Sequence, residues 1–122
     1  MKNKLLIAII TGLLAMTSQL VLAEKVLSMD EAKALFTDKT FDGYNEKKGK
    51  SFRVYSSSDG THVVQKKSGK IRKKTWKIND QGQHCVKDKC ADVIDVGGGV
   101  YHKKRTGKHT HTLKNFVDGN QL

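Results

Sequence analysis

Residues 71–96 read Ile71-Arg72-Lys73-Lys74-Thr75-Trp76-Lys77-Ile78-Asn79-Asp80-Gln81-Gly82-Gln83-His84-Cys85-Val86-Lys87-Asp88-Lys89-Cys90-Ala91-Asp92-Val93-Ile94-Asp95-Val96. Trp76 and Ile78 alternate with Thr75 and Lys77, the period-two pattern of a strand with one apolar face. Asn79-Asp80-Gln81-Gly82 then supplies the residues that reverse a chain most easily. The pattern resumes through Cys85-Val86, breaks at Lys87-Asp88, and returns from Cys90. Three short strands in series, joined by tight turns, are the beginning of an antiparallel meander.

The same rhythm extends in both directions. Ser58-Asp59-Gly60 and Ser68-Gly69 are turn signals upstream, and Gly97-Gly98-Gly99 breaks the chain downstream. Together they predict about eight strands, near 40–45, 51–57, 61–66, 71–79, 82–86, 90–96, 100–103 and 108–117. The fold class is therefore mainly β, an antiparallel meander closing into a small barrel or a sandwich. The chain contains no proline, so nothing bars these segments from central positions. Phe52, Val54, Val64, Trp76 and Ile78 are the expected core. On the last strand, strict alternation puts Leu113 and Val117 on one face with His109 and His111, and Phe116 opposite with Thr110, Thr112 and Lys114. A barrel this small is expected to be filled by its own side chains.

Ahead of the strands, Ser28-Met29-Asp30-Glu31 has the capping-box form, with Ser28 as N-cap and Glu31 three residues on. It predicts one short helix over 29–36, with Leu27, Ala34 and Leu35 as its apolar contacts. Further upstream, Lys2 and Lys4 precede an apolar run from Leu5 to Met16, then Thr17-Ser18-Gln19 and Val21-Leu22-Ala23. That order is a cleavable secretory signal, with Glu24 as the new N-terminus. An uncleaved membrane anchor is the competing reading, but polar residues in the second half and the lack of a stop-transfer cluster disfavour it. The expected organisation is a signal peptide over 1–23, an N-terminal segment with the helix over 24–39, and a β-domain over 40–122. A periplasmic or secreted location follows, with no transmembrane anchor after cleavage.

Export bears on the two cysteines. Cys85 and Cys90 flank a short polar loop, and a disulfide there would join neighbouring strands in a compartment where such bonds persist. A loop this small confers only about 2 kcal/mol, together with a fixed strand register. A redox pair or half a zinc site are the alternatives; the spacing is not that of a thioredoxin-like pair, and no second cysteine pair exists.

The full chain carries a net charge of +11. Its basic residues gather in four stretches: Lys47, Lys48 and Lys50; Lys66, Lys67 and Lys70; Lys87 and Lys89; Lys103, Lys104, Arg105 and Lys108. These fall at the first, third, fifth and seventh connections. The second, fourth and sixth contain no lysine or arginine, and Asp59, Asp80 and Asp95 lie in or beside them. In an up-and-down meander alternate connections share an end. One end is therefore predicted to be cationic, suited to an anionic polymer or lipid head groups. Solvation and protection of strand edges account for surface lysines equally well. Sequence-specific nucleic-acid binding is disfavoured, because no aromatic residues accompany the basic loops.

Catalytic signals are scarce. There is no Gly-x-Ser-x-Gly, no phosphate-binding or dinucleotide-binding glycine pattern, and the turn aspartates act as turn formers. His84 and Cys85 are adjacent on a strand and so face opposite ways. The chain is read as non-enzymatic, with no cofactor. His109 and His111, with His102 on the preceding strand, have a spacing that metal sites use, although polar surface histidines are the blander reading.

From Thr40 onward the chain resembles small exported proteobacterial domains of unknown function. The features that carry the resemblance are Tyr55 through Asp59-Gly60, Thr75-Trp76-Lys77-Ile78 leading through Asp80 and Gly82 to Cys85, then Cys90 and an aromatic strand near Tyr101. The resemblance implies a compact β-domain with a core tryptophan and a disulfide, and no catalytic residues. The function expected is an exported binding module whose cationic loops meet anionic envelope or extracellular polymers. A small barrel enclosing an apolar ligand, and a histidine-based metal binder, are the alternatives.

Overall fold

The computed structural model describes residues 24–122; the signal-sequence reading concerns residues 1–23 and lies outside the described residues. Period-two alternation from Lys39 onward produces eight consecutive antiparallel strands. They are β2 (Lys39–Asn45), β3 (Lys50–Ser56), β4 (Thr61–Lys66), β5 (Ile71–Ile78), β6 (His84–Val86), β7 (Lys89–Gly97), β8 (Val100–Arg105) and β9 (Lys108–Asp118). Each pairs with the next, and β9 returns to β2 through Gly43↔Leu113 and Asn45↔His111. That last pairing closes the ring and makes the meander a barrel rather than a sandwich. A two-residue strand, β1 (Lys25–Val26), adds to β7 opposite Ile94 and Asp95, a pairing that too short a segment did not announce.

The helix forms where the capping box placed it, as α1 (Met29–Phe36). Glu31 N–H donates to Ser28 Oγ at 3.3 Å, and Ser28 N–H donates to Glu31 Oε1 at 3.0 Å. Ala32 and Phe36, one turn apart, are its fully buried residues, whereas Ala34 is exposed. The buried stripe is thus set by the i, i+4 spacing and not by Ala34, which corrects the expected contact set. Phe36 stacks on His84 at 4.1 Å between ring centroids and meets Phe41 and Phe116 edge-on at 5.5 and 5.7 Å. The helix therefore plugs one end of the barrel. Gly82, in the β5–β6 connection, lies against the segment entering α1. A Cβ there would sit 2.7 Å from Leu27 O, and its φ of +77° is one that side chains disfavour.

Above the plug, Phe41, Val54, Val64, Val93 and Leu113 are buried, with Trp76, Ile78 and Phe52 partly buried against them. Trp76 Nε1 donates to Ser57 O at 2.8 Å, which satisfies its one polar atom. Phe52 lies across Gly43, where a Cβ would meet the ring at 2.5 Å. On β6 and β7, Cys85 and Cys90 are directly opposite and their sulfurs are 2.03 Å apart, at bonding distance. The hairpin is tighter than its sequence implied. Val86 and Lys89 also pair, so the turn is Lys87-Asp88 alone, with Lys87 at φ +57°.

Two irregularities in β9 overturn the strict alternation read from its sequence. Asn115 has a φ of +58°, and the register against β2 shifts beside it. The residues beyond exchange faces, so Phe116 joins Leu113 inside while Val117 is 43% exposed. Against β8, Lys103 pairs with His111 and Lys104 with His109, leaving Thr110 as the extra residue. His109 and His111 consequently face opposite sides of the wall.

Candidate functional site

The four basic connections all meet at the end of the barrel away from α1, around an open lumen. Lumen and mouth together hold about 1550 Å³. This corrects the expectation of a filled barrel. The reason lies in the residues that alternation sends inward above the core. Long cationic side chains extend toward water and repel one another, so they line a space where apolar residues would close it.

The positions of the basic residues differ from the simple picture of loop lysines. Lys47 and Lys48 occupy the β2–β3 turn, and Lys67 and Lys70 lie between β4 and β5. Lys50 opens β3, Lys66 ends β4, and Lys108 opens β9. Lys103, Lys104 and Arg105 belong to β8, not to the connection after it. Lys104 faces outward beside His109, whereas Lys103 points into the barrel opposite Val93 and His111 and is only 9% exposed. Lys70 and Lys104 are the two members of the expected set that do not line the cavity.

Sequence reasoning missed the inner half of this site. Alternation places Lys74 beside His62, and Arg72 beside Val64, on the inward faces of β4 and β5. His62, His84 and His111 complete the polar lining. The cavity is bordered by twelve lysines and arginines against two acids, Glu46 and Asp88, both in mouth connections. The signal that could have found these residues is parity: Lys74 shares its face with Trp76 and Ile78, and Lys103 shares its face with Tyr101.

The electrostatics follow from this crowding. Burial, then the charges of Arg105 and Lys74, push the Lys103 ammonium down to about 8. Burial and the Lys103 charge hold His62 at about 3 and His111 at about 4, and keep His84 well below its ordinary value. At neutral pH these histidines are uncharged and Lys103 remains largely protonated. His62 Nδ1, both ring nitrogens of His84, and Ser56 Oγ are buried without hydrogen-bond partners.

The proposed metal ligands do not assemble. His109 lies on the outer wall, where its ring stacks on His102 at 3.9 Å and its Nε2 is 3.0 Å from Thr112 Oγ1. His111 is inside, with its ring edge-on to Phe52 at 6.1 Å. Among the described residues no cluster of three metal-ligating side chains is formed. Nor is any helix there long and apolar enough to cross a membrane. The chain matches no family model, no curated protein and no solved structure.

Proposed function

We propose that this chain is an exported, non-enzymatic binding module whose cationic barrel end contacts anionic envelope or extracellular polymers. The observation that carries this reading is the gathering of four basic connections around one open end, while α1 plugs the other. Such a pole focuses the field of the molecule and raises the local concentration of polyanions. Periplasmic or secreted location, and kinship with the exported domains the chain resembles, belong to the same proposal. The signal pattern in residues 1–23 supports them, as does a cysteine pair at bonding distance, which persists in oxidising compartments.

Retention on immobilised heparin and on lipopolysaccharide tests the reading. The protein should be retained at low salt and released as salt rises, because the contacts are ionic and screened. Salt-insensitive behaviour on both supports would refute it.

The open lumen also favours the second reading, a barrel that encloses a ligand, since cavities of several hundred cubic ångströms are typical of small-molecule sites. The lining argues against a neutral apolar guest, because twelve basic residues border the space. A labelled fatty alcohol and its sulfate ester, compared in one assay, separate an apolar ligand from an anionic one.

A further inference from the structure

The cations inside the barrel differ from those outside it in one respect. Every ion pair among the described residues lies on the outer surface: Arg53 Nε with Asp42 Oδ1 at 3.1 Å, Lys39 with Asp118 at 2.8 Å, Lys25 with Glu31, and His109 with Glu46 at 3.9 Å. Lys103 is about nine-tenths buried as a residue, with its ammonium still reaching solvent, and it has neither an ion pair nor a side-chain hydrogen bond among the described residues. Lys74 and Arg105 stand near enough to weaken its charge further. Below it are the unpartnered nitrogens of His62 and His84 and the hydroxyl of Ser56.

A largely desolvated ammonium without a counter-ion is costly, and an apolar residue of similar length would remove the cost. Such a lysine, in a solvent-open cavity bordered by twelve lysines and arginines and by only two carboxylates at its mouth, constitutes a site whose counter-charge arrives from outside. We propose that the lumen, and not only its mouth, receives clustered phosphate or sulfate groups, with Lys103 as the deepest cation that contacts them. The inference rests on the reading of the cationic end as a polyanion-binding surface and extends that surface inward. The shared chemistry has two sources: a compact polyphosphorylated molecule that enters whole, or the terminus of a linear sulfated or phosphorylated polymer.

Titration of the full chain with myo-inositol hexakisphosphate, and separately with a heparin tetrasaccharide, tests this by calorimetry. Lys103→Met should weaken binding of the accepted probe by about ten-fold or more, the scale of a lost charge-assisted contact. The charge-matched Lys77→Met, on the exposed outer face of β5, should bind as the unaltered protein does. Should Lys103→Met fail to fold, Lys74→Met takes its place, with the same loss expected. Binding of hexakisphosphate alone identifies a compact guest, and binding of the tetrasaccharide alone identifies a polymer end. If neither probe binds, or if both bind Lys103→Met and Lys74→Met unchanged, the lumen is not the site. Salt-sensitive heparin retention under those outcomes would leave the mouth as the binding surface, so the two proposals fail separately.

Discussion

The two ends of this barrel are built by opposite uses of the same alternating pattern. At the plugged end, inward positions carry Phe41, Trp76, Ile78 and Phe116, and α1 lowers Phe36 among them. At the open end, the corresponding positions carry Lys50, Lys66, Arg72, Lys74, Lys103 and Arg105. One end gains stability from close packing, and the other loses some of it to unpaired charge. Inward-facing parity in a small barrel does not by itself make a core. What fills the position decides whether the space closes or stays open.

Altering the plug should have the largest effect. Phe36→Ala removes a fully buried ring that touches four aromatic neighbours. The expected loss is about 3–5 kcal/mol, on the order of half the stability of a domain this size. Urea denaturation measures it; a loss below about 1 kcal/mol would mean that the helix does not support the barrel.

At the open end the sign reverses. Lys103→Met should stabilise the protein by roughly 3 kcal/mol at pH 7, the linkage equivalent of an ammonium held at about 8 and not at its ordinary 10.5. The unfolded chain binds this proton more tightly than the fold does. Stability of the unaltered protein should therefore rise as pH increases from about 8 to 10.5, and the variant should lack that rise. Thermal unfolding across this range checks both statements. A destabilised but folded variant would show that Lys103 has a partner of its own.

A smaller effect joins the two ends through the histidines between them. His62, at about 3, and His111, at about 4, are neutral in the fold and protonated in the unfolded chain below pH 6.5. The unfolded state again binds more protons. Stability is thus fully present above pH 6.5 and declines as pH falls toward 4. The slope is about 1 kcal/mol per pH unit for each buried histidine. His62→Phe should flatten the slope, and urea midpoints at pH 7 and 5.5 measure it.

Much of the architecture was legible before the structure. Turn residues and period-two runs located eight strands within a residue or two at most ends, and the Ser28–Glu31 capping box located the helix. The choice between a barrel and a sandwich was not legible, because pairing of β2 with β9 depends on no local signature. Nor was the site complete. Lysine at an inward position reads as solvent-facing, so the sequence groups Lys103 with a connection and gives Lys74 no role. The bulges at Thr110 and Asn115 displaced the histidines and Phe116, and only Asn115 hinted at this, since asparagine tolerates positive φ.

The seam between β2 and β9 sets the order in which the molecule can be assembled. Seven of the eight pairings around the ring join consecutive strands, and the eighth joins residues 39–45 to 111–118. Hairpins can form early and locally, while the seam must wait for the last strand and a large loop-closure cost. Thr40 fastens it from the side: its hydroxyl donates to Gly119 O at 2.6 Å and accepts from Gln121 N–H at 2.9 Å. Without the β2–β9 pairing the same strands would make an open sheet with two unpaired edges and no lumen. The final dozen residues therefore govern whether the barrel's interior exists at all.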